Sequence, residues 1–121
     1  MGRKTFLKKE RLKKEKLIQE LFEKGSSFNF YPIRVLHLPL EHADLHQALF
    51  SVSSRSFKLA VVRNKIKRRM RESYRLNKEI LPQTQKLALG FLYTGKNELK
   101  YGDIDSAMTK SIEKLVKIYH N

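Results

Sequence analysis

The chain has 121 residues, with 26 Lys and Arg against 12 Asp and Glu, a formal net charge of +14 and no Cys. This length allows one domain with one modest core, and the 40% of apolar residues are enough to build it. The absence of Cys excludes disulfides and thiolate metal sites, and the excess positive charge favours a polyanionic partner, most often nucleic acid.

The first half of the chain predicts an arm, a helix and two strands. In order, these are a flexible basic arm over residues 1–10, a helix over about 14–24, a strand over 27–38, a polar loop over 39–46 and a strand over 48–53. The helix is predicted from apolar residues at helical spacing and from Gly25 at its end, and the strands from β-forming residues. Pro32 interrupts the longer strand and predicts an edge position or a bulge.

The second half predicts two helices separated by a buried strand. In order, these are a helix over about 57–79, a strand over 86–93, a turn over 94–96 and an amphipathic helix that begins near 101. Residues 54–56 are serine-rich and can cap the first of these helices, and Pro82 ends it. We expect a single domain over residues 1–121, because neither a repeat nor a linker divides the chain.

The helix over 57–79 carries most of the net charge. Residues 58–78 hold nine basic side chains and one acidic side chain, a net charge of +8 in 21 positions. At about 100° per residue, one side of this helix is apolar, with Leu59, Val62, Ile66, Met70, Tyr74 and Ile80. The opposite side is polar, with Asn64, Lys67, Arg68, Arg71, Arg75 and Lys78. Arg69 falls on the apolar side, where Glu72 is its candidate partner.

This charge pattern favours RNA as the polyanion. Arg suits bidentate phosphate contacts and stacking on bases, and the binding should weaken with salt. The sequence has no helix-turn-helix pair, zinc-finger ligand set or leucine zipper that would favour DNA. It does place aromatic residues near basic ones, where they could stack on unpaired bases, although each alone is more often a core residue: Phe22, Phe28, Phe30 and Tyr31.

No constellation of residues predicts catalysis by the protein itself. The acidic residues are scattered, and neither a phosphate-binding Gly loop nor a nucleophile elbow is present. His42 and His46 have metal-helix spacing but lie in a predicted loop, so we interpret them as solvated and predict no metal ligand. No apolar run suggests a secretory signal or a membrane span, so a cytoplasmic protein without a membrane partner is expected.

Residues 51–75, SVSSRSFKLAVVRNKIKRRMRESYR, resemble the signature of the bacterial ribonuclease P protein subunit. The match is AVVRNKIKR at residues 60–68, followed by Arg71 and Tyr74, after a Ser-Val-Ser strand. RLKK at residues 11–14 and FEKG at 22–25 also look like the family, and the likeness in layout covers about residues 11–118. Lys65 stands where the family usually has Arg, which keeps the charge but loses the planar fork.

The resemblance implies an α+β fold: a two-layer α/β sandwich of order αβββαβα, like domain 2 of ribosomal protein S5, with a left-handed βαβ crossover. It implies a subunit of the ribonucleoprotein endoribonuclease that removes the 5′ leader of precursor tRNA, with ribonuclease P RNA as partner and no DNA. The RNA is the catalyst, and the Mg²⁺ cofactor is bound mainly by that RNA. Two alternatives remain: a ribosomal or other structural RNA-binding protein, and a DNA-binding architectural protein.

The resemblance also implies two sets of site residues. The RNA-binding set is Arg63, Asn64, Lys65, Lys67, Arg68, Arg71, Arg75, Ser53 and Arg55. The set for a cleft that binds the 5′ leader is Phe22, Ile18, Leu36 and Phe30. In that cleft the family commonly has Phe in place of Ile18 and an aromatic residue in place of Leu36, so Phe30 is offered as a replacement ring.

Overall fold

The computed structural model describes residues 5–120 and contains three α-helices and four strands. These are α1 (Glu15–Lys24), β1 (Ser26–Phe30), β2 (Ile33–Pro39), β3 (Gln47–Val52), α2 (Ala60–Asn77), β4 (Leu87–Tyr93) and α3 (Tyr101–Ile118). Short 3₁₀ turns cover Lys8–Glu10 and Lys78–Ile80. The predicted α+β class is confirmed, and the helices and strands follow one another as αβββαβα.

The four strands form one sheet in the order β1-β2-β4-β3. β2 is antiparallel to both β1 and β4, whereas β3 and β4 are parallel, so α2 is the helix of a parallel β3–α2–β4 crossover. The left hand expected for this crossover stays a prediction. β4 is buried on both faces, which explains its almost continuous apolar sequence.

The two faces of the sheet are covered by different helices. α2 and α3 pack over the larger core, which includes Phe91, Ile66 and Met108, whereas α1 packs over a smaller cluster around Leu21 on the opposite face. Helices therefore lie on both sides of the sheet, with α1 alone on the face opposite to α2 and α3. Gly90 of β4 lies beneath α1, where a Cβ atom would come within ordinary van der Waals distance of Leu21 Cδ2, at 3.4 Å.

The single strand predicted over 27–38 is wrong, since the structure has a hairpin of β1 and β2 in its place. The chain reverses at Tyr31 and Pro32, which are joined by a cis peptide bond, and Phe30 pairs with Ile33. The turn is held to the end of β4, because the Thr94 N–H donates to the Pro32 carbonyl at 2.7 Å. Pro32 thus lies in a turn, and β-forming residues on both sides concealed that turn.

The flexible arm predicted for residues 1–10 is corrected for residues 6–10, and residues 1–4 lie outside the described part of the chain. The Phe6 ring lies edge-on to the rings of Phe50 and Tyr74, each at 5.7 Å. Glu10 is buried, and its Oε2 accepts a hydrogen bond from Lys78 Nζ at 2.7 Å. These contacts attach the basic N-terminal segment to the core face of the sheet.

The basic helix α2 is shorter than predicted at both ends. It begins at Ala60 with Leu59 as its N-cap residue, so residues 54–56 do not cap it. As predicted, Ile66, Met70 and Tyr74 are buried. Leu59 and Ile80 are 68% and 51% exposed, contrary to prediction, because both lie outside the helix and do not follow its phase.

Candidate nucleic-acid interface

The side of α2 that faces away from the sheet carries a basic row. We define this row as Asn64, Lys65, Lys67, Arg68, Arg71 and Arg75. The first two and Arg68 are exposed, and the others are half-buried. The row exists because the buried residues of α2 recur at helical spacing and leave the opposite side to solvent. The whole helix contains seven basic residues and one acidic residue, Glu72.

Arg63 lies beside the row and fastens the loop that leads into α2. Its Nη1 donates to the carbonyl oxygens of Phe57 and Lys58, at 2.7 and 3.0 Å. In the same loop, the Arg55 N–H donates to Ser53 Oγ at 3.1 Å, and both residues are exposed. Ser53 therefore shapes the turn, while the Arg55 side chain is available to a partner near the start of α2.

Two further arginines of α2 are engaged by carboxylates. Arg75 donates to both oxygens of Glu72, at 3.1 and 2.6 Å, and this hydrogen bonding lowers the pKa of Glu72. The predicted pairing of Arg69 with Glu72 is wrong: Arg69 Nη2 lies 2.9 Å from Glu98 Oε2, and Nη1 donates to the Leu99 carbonyl at 2.8 Å. The loop before α3 supplies these partners, and spacing along α2 could not reveal them.

Arg71 is the member of the row that contacts β3, where its guanidinium lies 6.0 Å from the Phe50 ring centroid beside a small cavity of about 170 Å³. The cavity is lined by Phe6, Arg11, Leu12, Lys13, Ala48, Leu49, Phe50 and Arg71. Burial lowers the pKa of Arg71, and the nearby charges of Arg11 and Arg68 lower it further. Its Nε is buried without a hydrogen-bond partner in the described structure. An anion in this cavity would offset the repulsion among the three guanidinium groups.

Arg11 and Lys13 are interface candidates to which the sequence assigned no role. Arg11 is held in place because residues 11 and 48 form a parallel bridge beside β3, and its guanidinium lies 5.7 Å from the Phe6 ring centroid. The RLKK motif at residues 11–14 was the available signal. Its proximity to Arg71 depends on long-range strand pairing, which a motif alone does not show.

The four residues predicted for the leader cleft do not all lie together. Phe22 and Ile18 are on α1, where the Phe22 side chain is 52% exposed and Ile18 is half-buried. Leu36 is 5% exposed in the cluster beneath α1, so it is a core residue. Phe30 packs with the core on the opposite face of the sheet, because alternate residues of a strand point to opposite faces. The cleft prediction is thus corrected at Leu36 and Phe30.

His46 is also corrected, since it is not a solvated loop residue. Its Nε2 lies 2.8 Å from the Pro82 carbonyl, and its Nδ1 accepts the Leu87 N–H at 3.0 Å. Burial lowers the pKa of His46, so the neutral ring joins the 39–46 loop to the start of β4. His42 is exposed.

Residues 5–120 show neither a metal site nor a membrane helix. No group of three or more His, Asp or Glu side chains in this part of the chain is placed to hold a metal ion. No helix there combines the length and the apolar composition that crossing a membrane requires.

Comparison with known proteins relates nearly the whole chain to one family. A sequence profile of the family described as Ribonuclease P matches residues 6–118. The ribonuclease P protein component of Porphyromonas gingivalis is 36% identical in an alignment of 112 positions that covers 87% of this chain and 82% of that protein. The corresponding component of Petrotoga mobilis is 32% identical in an alignment of 118 positions that covers 92% of this chain and 95% of that protein. The solved structure of Staphylococcus aureus RNase P protein shares the fold, with a TM-score of 0.76, 23% identity, and coverage of 92% and 98%.

Proposed function

Since this chain belongs to the ribonuclease P protein family, we propose that the basic row of α2 is the surface that binds the catalytic RNA. The protein is a subunit of ribonuclease P, the ribonucleoprotein endoribonuclease of tRNA processing, and its partners are ribonuclease P RNA and precursor tRNA. Within this enzyme the RNA is the catalyst. Family membership favours this function over a purely structural RNA-binding protein.

The observation that carries the proposal is the one-sided charge of α2. The helix contains seven basic residues and one acidic residue, and the row extends to the cavity between Arg71 and Arg11. A surface of this kind binds RNA mainly by neutralising phosphates and releasing their counterions, which makes the affinity depend steeply on salt. Arg68 and Arg71 can each present a guanidinium to a phosphate, and the Asn64 amide can both donate and accept.

The residues around the row have distinct proposed roles. Arg63 has two carbonyl partners, so its main contribution is to position the loop that carries Ser53 and Arg55. Lys65 and Lys67 add point charges on either side of Arg68 and have no planar fork to orient a phosphate. The interface would thus have its most directional contacts at the arginines.

For the 5′ leader, we propose a site on α1 that is smaller than the family pattern predicts. Phe22 offers an exposed ring, and Ile18 lies one turn earlier on the same helix. On the same face of the sheet, Leu49 and Leu92 are partly buried and pack against the cluster beneath α1. An exposed aromatic ring beside apolar side chains can stack on an unpaired base.

Family membership implies a metal requirement for cleavage, and we propose Mg²⁺ bound mainly by the RNA. Residues 5–120 offer no cluster of ligands that fits the ion. When bound, Mg²⁺ supplies metal-activated water for hydrolysis. The contribution of the protein would be electrostatic, since its positive side chains reduce the repulsion between two RNA partners. A cytoplasmic location and the absence of a DNA partner stay predictions.

The decisive experiment is reconstitution with ribonuclease P RNA at low Mg²⁺ concentration. The full chain is expected to stimulate cleavage of precursor tRNA, measured as kcat/KM, relative to the RNA alone. A chain that gives no stimulation would overturn the proposal. Copurification with ribosomal subunits in place of a free catalytic RNA would support the structural alternative.

A further inference from the structure

A second group of basic and aromatic side chains lies between β1 and α3. Two adjoining cavities of about 460 and 500 Å³ meet there and share Phe30 and Lys110 in their linings. We call this feature the β1–α3 groove and define it by Phe30, Tyr31, Lys110, Lys114, Lys117 and Ile118. Phe30 is therefore part of this groove, and its ring is remote from the cleft beside α1.

The three lysines of the groove form one row on α3. They occur at positions i, i+4 and i+7, which lie on the same side of a helix, and all three are exposed. Lys114 Nζ lies 5.2 and 5.9 Å from the ring centroids of Phe28 and Phe30. Within residues 5–120, no carboxylate forms an ion pair with any of these lysines. The positive charges therefore stay available to an anionic ligand, with Glu113 and Asp103 as the acidic residues of the lining.

The aromatic side of the groove is restrained by hydrogen bonds at the hairpin turn. Tyr31 is 68% exposed at the hairpin turn, next to the half-buried Phe30. The N–H and the Oγ1 of Thr94 both donate to the Pro32 carbonyl, at 2.7 and 3.0 Å, so the turn is joined to the end of β4. Rings fixed in this way can stack on bases without a large loss of conformational freedom.

The groove is separate from the basic row of α2. β1 and β3 are the two edges of the sheet, three strand spacings apart, or about 14 Å. The cavity beside Arg71 lies at the β3 edge, whereas the groove lies at the β1 edge. One nucleotide cannot occupy both places, so a ligand in the groove requires its own stretch of chain.

We propose that the β1–α3 groove binds a single-stranded segment of RNA. Lysines along one wall would contact the phosphates, and the rings of Phe30 and Tyr31 would stack on bases, a combination typical of surfaces that bind single strands. A duplex fits less well, because its bases are already stacked and cannot present their faces to these rings. This surface goes beyond the proposed function, which requires only the α2 row and the site on α1.

The test uses the full chain and a fluorescein-labelled oligouridine of about twelve nucleotides, with and without 5-bromouridine. Two groove variants are compared with wild type: Lys110→Glu with Lys117→Glu, and Tyr31→Ser. The matched control is Lys96→Glu with Lys100→Glu, which makes the same change of charge at exposed positions outside the groove lining. Circular dichroism melting verifies that each variant is folded.

We expect both groove variants to bind the oligonucleotide about tenfold more weakly than wild type, and the control to change by less than about twofold. The lysine variant should also reduce the salt slope by about 0.7 for each phosphate that is no longer neutralised. Photocrosslinks should map to Tyr31 or Phe30. Equal losses of affinity in the groove variant and the control, or crosslinks confined to α1 and α2, would overturn the proposal.

A parallel measurement separates this proposal from the proposed function. The groove variants should bind ribonuclease P RNA within about twofold of wild type, since the α2 row is intact. If they bind the oligonucleotide as tightly as wild type while cleavage is still stimulated, the groove proposal fails and the proposed function stands. If wild type gives no stimulation but the groove variants lose oligonucleotide binding, the reverse holds.

Discussion

α2 and α3 are helices of equal length, 18 residues each, and they pack side by side on one face of the sheet. Their surfaces differ strongly. α3 carries three basic and three acidic residues, whereas α2 carries seven basic residues and one acidic residue. α3 buries six residues and α2 buries four. α3 therefore contributes more buried residues to the core, whereas the positive charge is concentrated on α2.

The ends of the two helices show the same difference. Neither helix has a side-chain cap, but α3 has Asp103 in its first turn, where a carboxylate is favourable, whereas α2 has no acidic residue there. Arg63 instead places positive charge near the start of α2. Repulsion along the row adds to this cost, so α2 depends on the sheet and on α3 to remain helical. Four changes test this division between a supporting core and a charged surface.

The largest effect is expected from Ile66→Asp on the inner side of α2. Ile66 is fully buried, so the substitution would place an unpaired carboxylate in the core and cost more than about 4 kcal/mol. We expect no cooperative melting transition at ordinary temperatures by circular dichroism. Val61→Asp is the matched control, because Val61 is 65% exposed on the same helix and should change stability by less than about 0.5 kcal/mol. A normal melting curve for Ile66→Asp would refute the inward orientation.

The next effect concerns Lys78, which fastens the C-terminal end of α2 to the N-terminal segment. Lys78→Met would leave Glu10, a side chain only 8% exposed, without its partner, at a cost of about 3 kcal/mol in the free energy of unfolding. Urea unfolding measures this loss. Lys96→Met, at an exposed position, is the control. The double variant Lys78→Met with Glu10→Leu should recover most of the stability, because no buried carboxylate is then left without a cation. A failure to recover would show that the ion pair itself stabilises the fold.

The third effect is on binding and should leave stability almost unchanged. Arg68→Ala with Arg71→Ala removes two guanidinium groups of the basic row, so affinity for ribonuclease P RNA should fall by about tenfold or more. The slope of log affinity against log salt should flatten by about one unit for each phosphate that is no longer neutralised. Lys96→Ala with Lys100→Ala removes the same charge elsewhere. If this control weakens binding equally, net charge and not the α2 row determines affinity.

The sequence predicted those parts of the molecule that depend on local periodicity. Repeated aliphatic residues at helical spacing indicated that Ile66 and Met70 face inward, and the outward position of Arg68 follows from the same period. The hairpin was missed because Tyr31 and Pro32 lack the Gly or Asn that marks most tight turns, and β-forming residues continue on both sides. Once the hairpin was missed, the face on which Phe30 lies could not be assigned.

Contacts between distant parts of the chain were also beyond local patterns. Glu10 and Lys78 are 68 positions apart, and the partner of Arg69 comes from the loop before α3. The N-terminal segment was predicted to be flexible from its basic composition. In the structure, the ring of Phe6 and the carboxylate of Glu10 attach the segment to the rest of the fold. At the candidate site, the charged residues themselves could be named from the sequence. Their partners, which decide whether each is available to RNA, required the folded structure.

The smallest effect concerns the C-terminal end of α3, which is joined to the sheet by a hydrogen bond between two neutral side chains and not by an ion pair. His37 Nδ1 lies 2.6 Å from the hydroxyl of Tyr119, just after α3, and burial lowers the pKa of His37 below its usual 6.5. The unfolded chain therefore binds a proton more readily than the native protein does as the pH falls below 6.5. The stability from this group is complete above pH 6.5 and is lost progressively below it, until the lowered native pKa is reached.

His37→Gln tests whether this hydrogen bond makes stability depend on pH, since the variant removes the titrating ring but retains a polar partner for Tyr119. The free energy of unfolding, measured in urea at about pH 7.5 and about pH 5.5, should fall less for the variant than for wild type, by at most about 1.4 kcal/mol per pH unit. His46, whose pKa burial also lowers, would contribute to the remaining fall. An equal fall in both proteins would mean that His37 titrates alike in the native and unfolded chains. The end of α3 would then be held by the packing of Tyr119 and not by a neutral hydrogen bond, in contrast to the first half of the helix, where Ser73 Oγ of α2 donates to Asp105 Oδ1 at 2.6 Å.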